Sequence, residues 1–308
     1  MNQKTDRLPE QAWLQPAAPP RQGLRGLLER IVDAGLIGVP LLTPWFMGGR
    51  HPLGELVLVT LAVVVAISWL ADQALARREV TIARTRAEWL LLGGIALVIV
   101  QMLPLPQALL DMLSPHTRQL LPLWRGSTTL AGSLGNWNQV SMTPDWTQAG
   151  LILLLSYGML FTVAAQRLKR MADVERMLGW IAGAVALQAA FGIVQYLTSN
   201  GKFVWIYQHP FRETYNAVMG AYMNKNHFAH LMALGIGPLV WLVATTMQPG
   251  ERSRQNGFDR PSRSAAAQSR TTAALLALAI TLFAGLMTMS RGGAAAMFVA
   301  SVSSVVAL

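Results

Sequence analysis

Residues 53–72 read LGELVLVTLAVVVAISWLAD. Between Glu55 and Asp72 there is no charge, and the apolar side chains form a continuous block, not one stripe. About 20 mostly apolar residues are what a helix needs to cross a bilayer. A helix also satisfies its own backbone hydrogen bonds, which a lipid-exposed loop cannot do. This stretch therefore predicts a transmembrane helix.

Working outward, comparable blocks occur at 31–48, 88–106, 148–165, 177–198, 226–247, 272–289 and 294–308. The predicted fold is an all-α membrane protein, a polytopic helical bundle of about eight spans over 29–308. Composition agrees: 53% of the 308 residues are hydrophobic and 13% charged, against about a quarter charged in soluble domains. The net charge of +10 raises nucleic-acid binding, but the basic residues fall in short blocks between apolar runs, which is a topology pattern. No nucleic-acid partner is expected; the lipid bilayer is. The chain has no cysteine, and so neither a disulfide framework nor a cysteine metal site. Residues 1–28 are polar and contain Pro9, Pro16, Pro19 and Pro20 without a signal-peptide core, which predicts a disordered cytoplasmic tail.

Loop charge sets orientation. With the amino terminus inside, eighteen basic residues lie on the inner side, among them Arg77, Arg84, Arg167, Arg176, Arg252 and Arg270. Seven remain outside: Arg50, Arg118, Arg125, Lys202, Arg212, Lys225 and Arg291. The amino terminus is accordingly expected in the cytoplasm. The outer loop 107–147 holds Leu113, Trp124, Trp137 and Trp146, residues suited to the headgroup level. A second outer loop, 199–225, contains Trp205, Tyr207, His209 and Tyr215. The final block stops at Val306-Ala307-Leu308 without a basic flank. A helix ending inside lipid would leave carbonyls unsatisfied, so a longer parent protein is expected.

Two polar segments could carry chemistry. Met223-Asn224-Lys225-Asn226-His227-Phe228-Ala229 stands at the outer end of the sixth span. Asn224 or Asn226 can cap the helix; the same terminus can hold an anion, with Lys225 reinforcing it. Thr288-Met289-Ser290-Arg291-Gly292-Gly293 stands at the outer end of the seventh. Arg291 is either an interfacial arginine reaching headgroups or a bidentate phosphate ligand. The glycines allow a turn or a close approach. Both segments fall on the outer face by the charge count, and Arg212 is near enough in sequence to be a second anion contact. His227 and His230, three apart, lack the carboxylate that would make a convincing zinc site, and no metal is expected. Gln188 and Gln195 read as interhelical glue. No nucleotide-binding glycine loop, catalytic triad or paired-carboxylate signature is present.

At these residues the chain resembles the O-antigen ligase and O-antigen polymerase superfamily of bacterial membrane glycan ligases. Met223–Ala229 is similar to that family's Asn-Arg-Asn-His-Phe-Ala segment, and Ser290-Arg291-Gly292-Gly293 to its Ser-Arg-Gly segment. Gln101–Pro106, Leu113-Ser114-Pro115 and Gly192–Tyr196 follow in a familiar order, so the resemblance covers roughly 30–308. It implies a multi-pass enzyme of the bacterial inner membrane. Such an enzyme transfers a glycan from an undecaprenyl diphosphate-linked donor to an acceptor sugar at the periplasmic face. The acceptor is a glycan or the lipid A-core of lipopolysaccharide, and no cofactor is used. By the same resemblance Arg291 matches a catalytic arginine. Lys225 stands where many relatives have arginine, keeping the charge but losing the fork. Arg212, Asn224, Asn226 and His227 are the associated substrate-binding candidates. The family's proposed acceptor-activating histidine belongs to a later loop, and none of the five histidines here takes its place. The alternatives are a protein O-oligosaccharyltransferase, which differs in its acceptor, a transporter or flippase of lipid-linked glycan, which predicts ionisable groups near the midplane, and a purely structural subunit.

Overall fold

The computed structural model describes residues 23–76, 85–116, 139–211, 213–247 and 265–307. Its helices are α1 (Leu24–Leu42), α2 (Pro52–Leu75), α3 (Ala87–Met102), the short α4 (Gln107–Leu113), α5 (Pro144–Arg167), α6 (Met171–Leu197), α7 (Lys225–Met247), α8 (Ala265–Leu286) and α9 (Arg291–Val306). Two 3₁₀ turns, Thr43–Trp45 and Met47–Gly49, join α1 to α2. Among the described residues, five helices (α2, α5, α6, α7 and α8) are long and apolar enough to cross a membrane. Helix α2 is the most apolar of them, with a mean hydropathy of 2.3 over its best 18 residues.

A core of large side chains such as Phe228, Met232 and Ile236 is buried, yet many others point outward: Leu90 is 80% exposed, Phe298 70% and Val306 80%. An apolar surface of this extent is unfavourable in water and costs nothing in hydrocarbon, so the chain is a multi-pass membrane protein. Close approach comes from small residues: a Cβ on Gly35 would overlap Val65, one on Gly158 would overlap Leu91, and one on Gly235 would overlap Val185.

Every predicted span contains a helix, but the bounds and lengths differ. The first helix starts at Leu24, well before the apolar run at 31, and stops at Leu42. Its early start is supported by Arg25, whose Nε donates to the buried carboxylate of Asp72 on α2 at 2.9 Å. A charge paired in this way is tolerated at a helix contact. Pro44 and Gly48, the latter at φ 71°, then tighten the chain into the two 3₁₀ turns. Helices α3 and α9 have 16 residues each, about 24 Å of rise, short of the roughly 30 Å hydrocarbon layer. Of the first outer loop, α4 buries Leu110 and exposes Met112; residues 117–138, which include Trp124 and Trp137, lie outside the described residues, as do 1–22 of the predicted tail.

The bundle has two parts that share α6. Helix α1 packs on α2, α2 on α5, and α5 on α3. On the other side α7 packs on α6, α8 and α9. At the bundle end opposite the amino terminus of α7, Arg167 of α5 donates through Nε and Nη2 to Asp33 of α1, both at 2.8 Å. Arg176 of α6 spans Asp33 and Asp173. Arginines predicted as topology anchors thus also tie α1, α5 and α6 together.

Candidate functional site

The loop between α6 and α7 forms the base of the site. Trp205 stacks edge-on against Phe191 of α6 at 5.8 Å, and Phe191 stacks in turn on Trp45 of the first 3₁₀ turn at 4.7 Å. Phe203, Ala217 and Met219 are buried together against Met47. Asn200 donates to the Trp205 carbonyl, and Gln195 donates to that of Lys202 at 3.4 Å. Gln195 therefore binds the loop that follows its own helix. Gln188 is 1% exposed with both amide atoms unpartnered, so the interhelical hydrogen bond expected of it is not made among the described residues.

Two helix amino termini lie side by side on this base. Helix α7 begins at Lys225, preceded by Asn224, whose Oδ1 accepts from the Asn226 N–H at 2.9 Å. The Asn224 carbonyl accepts from His227 and Phe228. Asn224 is thus the cap. Asn226 and His227 are exposed on the first turn. Helix α9 begins at Arg291, and Ser290 caps it by accepting from the Gly293 N–H at 3.0 Å. The turn leading into Ser290 passes through Met289 at φ 51° and buried Thr288, whose hydroxyl donates to Gly285 and accepts from Ser290 N. These two hydroxyls were not singled out from sequence. Their position just before an Arg-Gly-Gly helix start was the available signal.

The two termini touch. A Cβ on Gly293 would overlap that of Ala229, one turn into α7. Gly292, by contrast, faces open space; only the second glycine of the pair is required for close approach. The Lys225 ammonium reaches the Met289 carbonyl at 3.5 Å, the outer limit of a hydrogen bond. It is positioned there while retaining donors for another acceptor. Arg291 is exposed, and Arg212 lies outside the described residues. The Val218 N–H donates to Met287, joining the α6–α7 loop to the same turn.

Neither first turn contains an acidic residue, so the positive ends of both helix dipoles are uncompensated. The N–H groups of Arg291 and Gly292 have no partner among the described residues. The two helix starts meet with free backbone donors and uncompensated dipole ends, and each carries a cation as its first residue, a combination suited to a phosphate or diphosphate. Below it, burial holds the Tyr222 phenol above its ordinary pKa, and its ring covers Gly48 and stacks on Phe228 at 5.8 Å. Among the described residues no three His, Asp or Glu side chains are grouped to hold a metal. No family model, curated protein or solved structure matches this chain.

Proposed function

We propose that this protein transfers a glycan from an undecaprenyl diphosphate-linked donor to an acceptor sugar, on lipopolysaccharide core or a growing polysaccharide, at the periplasmic face of the bacterial inner membrane. The proposal includes eight spans with the amino terminus inside, on the balance of basic residues between the two sides. The observation that carries it is the contact between the starts of α7 and α9, where Lys225 stands over the Met289 carbonyl two residues from Arg291.

Departure of the polyprenyl diphosphate develops negative charge on its oxygens. Preorganised cations and helix N–H groups stabilise that charge most effectively where water is scarce. Arg291 is assigned to the charge that develops in the transition state, and Lys225, Asn226 and His227 to holding the donor. A general base must take the proton from the acceptor hydroxyl, and no described residue is assigned to that step. A flippase predicts ionisable groups near the bilayer midplane, whereas these cations sit at helix starts.

The test is glycan transfer by the intact protein with lipid-linked donor. Arg291→Ala is expected to reduce transfer by roughly a hundredfold or more, with unchanged membrane insertion. Undiminished transfer would overturn the assignment.

A further inference from the structure

A second feature lies at the opposite end of the same helices. A cavity of about 290 Å³ opens between α6, α7 and α8. Gly183 and Ala186 form one wall, Leu239 and Ala274 the others, and Thr246 and Arg270 stand at its end. The wall on α6 is open: Gly183 is exposed, and a Cβ there would meet nothing within 4 Å. The cavity is about ten times the share of one liquid water. Apolar walls of this kind do not hold ordered water, which needs several polar partners. The Thr246 hydroxyl is already engaged with Val243, and its carbonyl with Thr271. Arg270 differs. It is exposed at the sixth residue of α8, and its guanidinium has no hydrogen-bond or ion-pair partner among the described residues.

We propose that this groove binds one anionic glycerophospholipid, with an acyl chain along Gly183, Ala186 and Ala274 and the headgroup phosphate on Arg270. The chemistry is complementary at both ends. A dry, lipid-accessible slot suits a hydrocarbon chain, and a guanidinium fork suits a phosphate. An arginine at the membrane surface favours an anionic headgroup by electrostatics alone. A bound lipid would fill space between α6 and α8 that no side chain of either helix fills. This site is independent of the Lys225–Arg291 region, being at the other end of α7, and does not depend on the transfer reaction.

The full chain, purified in neutral detergent, is presented with palmitoyl-oleoyl phosphatidylglycerol and phosphatidylcholine at equal concentration, and retained lipid is read by native mass spectrometry. Phosphatidylglycerol is expected to be retained about fivefold over phosphatidylcholine. Arg270→Gln should abolish that preference and Arg270→Lys should keep it. Gly183→Leu should lower retention of both lipids, with helicity and melting temperature showing that the variant is folded. Equal retention of the two lipids by the unaltered chain overturns the proposal. So does retention unaffected by Gly183→Leu, and so does a dimer that Gly183→Leu dissociates, since the groove would then hold a second copy. Should one variant fail to fold, the headgroup preference of the unaltered chain still decides.

Discussion

The Lys225 ammonium lies 3.5 Å from the main-chain oxygen of Met289, a residue 64 positions away in the chain. The contact joins the first residue of α7 to the turn that delivers Arg291, so two separate polar segments share one surface. It also implies a division of labour. Lysine is a point charge on a flexible stem, and its three donors allow it to hold the carbonyl and reach a ligand at once.

Lys225→Met is therefore expected to weaken donor binding more than turnover. A lost charge-assisted contact corresponds to about 1.5–3 kcal/mol, so KM for the lipid-linked donor should rise by tenfold or more. Lys225→Arg should recover most of the loss. A steady-state comparison of the three proteins checks this, and an unchanged KM for Lys225→Met removes the residue from the site.

The two glycines after Arg291 should respond differently to substitution. Gly293→Val forces a side chain into Ala229, and overpacking of this kind costs about 1–3 kcal/mol. Gly292→Ala meets open space and should leave stability within about 0.5 kcal/mol. Thermal unfolding in detergent measures both. Equal effects would mean that α7 and α9 do not approach closely at this point.

Gln188 buries both amide atoms without a partner. An unsatisfied buried polar group costs about 1–3 kcal/mol, so Gln188→Leu should raise the unfolding temperature or leave it unchanged. A clear loss of stability would show that the amide is hydrogen-bonded in the membrane-embedded protein, by water or by another chain.

The pH dependence follows from Tyr222. Its folded pKa is raised by burial above the ordinary 10.0, so the unfolded chain loses that proton first. The stabilisation is fully present below about pH 10 and is lost as pH rises from there through the folded value. Alkaline titration of phenolate absorbance should show two late-ionising tyrosines, Tyr215 bonded to Glu213 and buried Tyr222, and Tyr222→Phe should remove the later component. If that component persists in the variant, the Tyr222 phenol is not buried.

Residues 53–72 illustrate how far local information reaches. An uninterrupted apolar block of span length predicts a helix whatever its neighbours, because the bilayer demands internal backbone pairing, and α2 occupies Pro52–Leu75. A cap at Asn224 or Asn226 was similarly legible, because capping is settled within a few residues, and the structure chose Asn224. The early start of α1 was not, since it involves an ion pair between Arg25 and Asp72, 47 residues apart. Nor was the difference between Gly292 and Gly293, which depends on where Ala229 stands. Gln188 and Gln195 looked alike in sequence, yet one reaches the Lys202 carbonyl and the other has no partner.

The sequence by itself determined that this is a helical membrane protein with polar segments at the starts of two helices, because hydrophobic length and capping act over short stretches of chain. Only the tertiary structure decided that those starts touch, with Lys225 over Met289 and Gly293 against Ala229. It also decided that a groove of about 290 Å³ lies beside Arg270. Contacts between distant residues depend on how whole helices pack, and no local pattern encodes that.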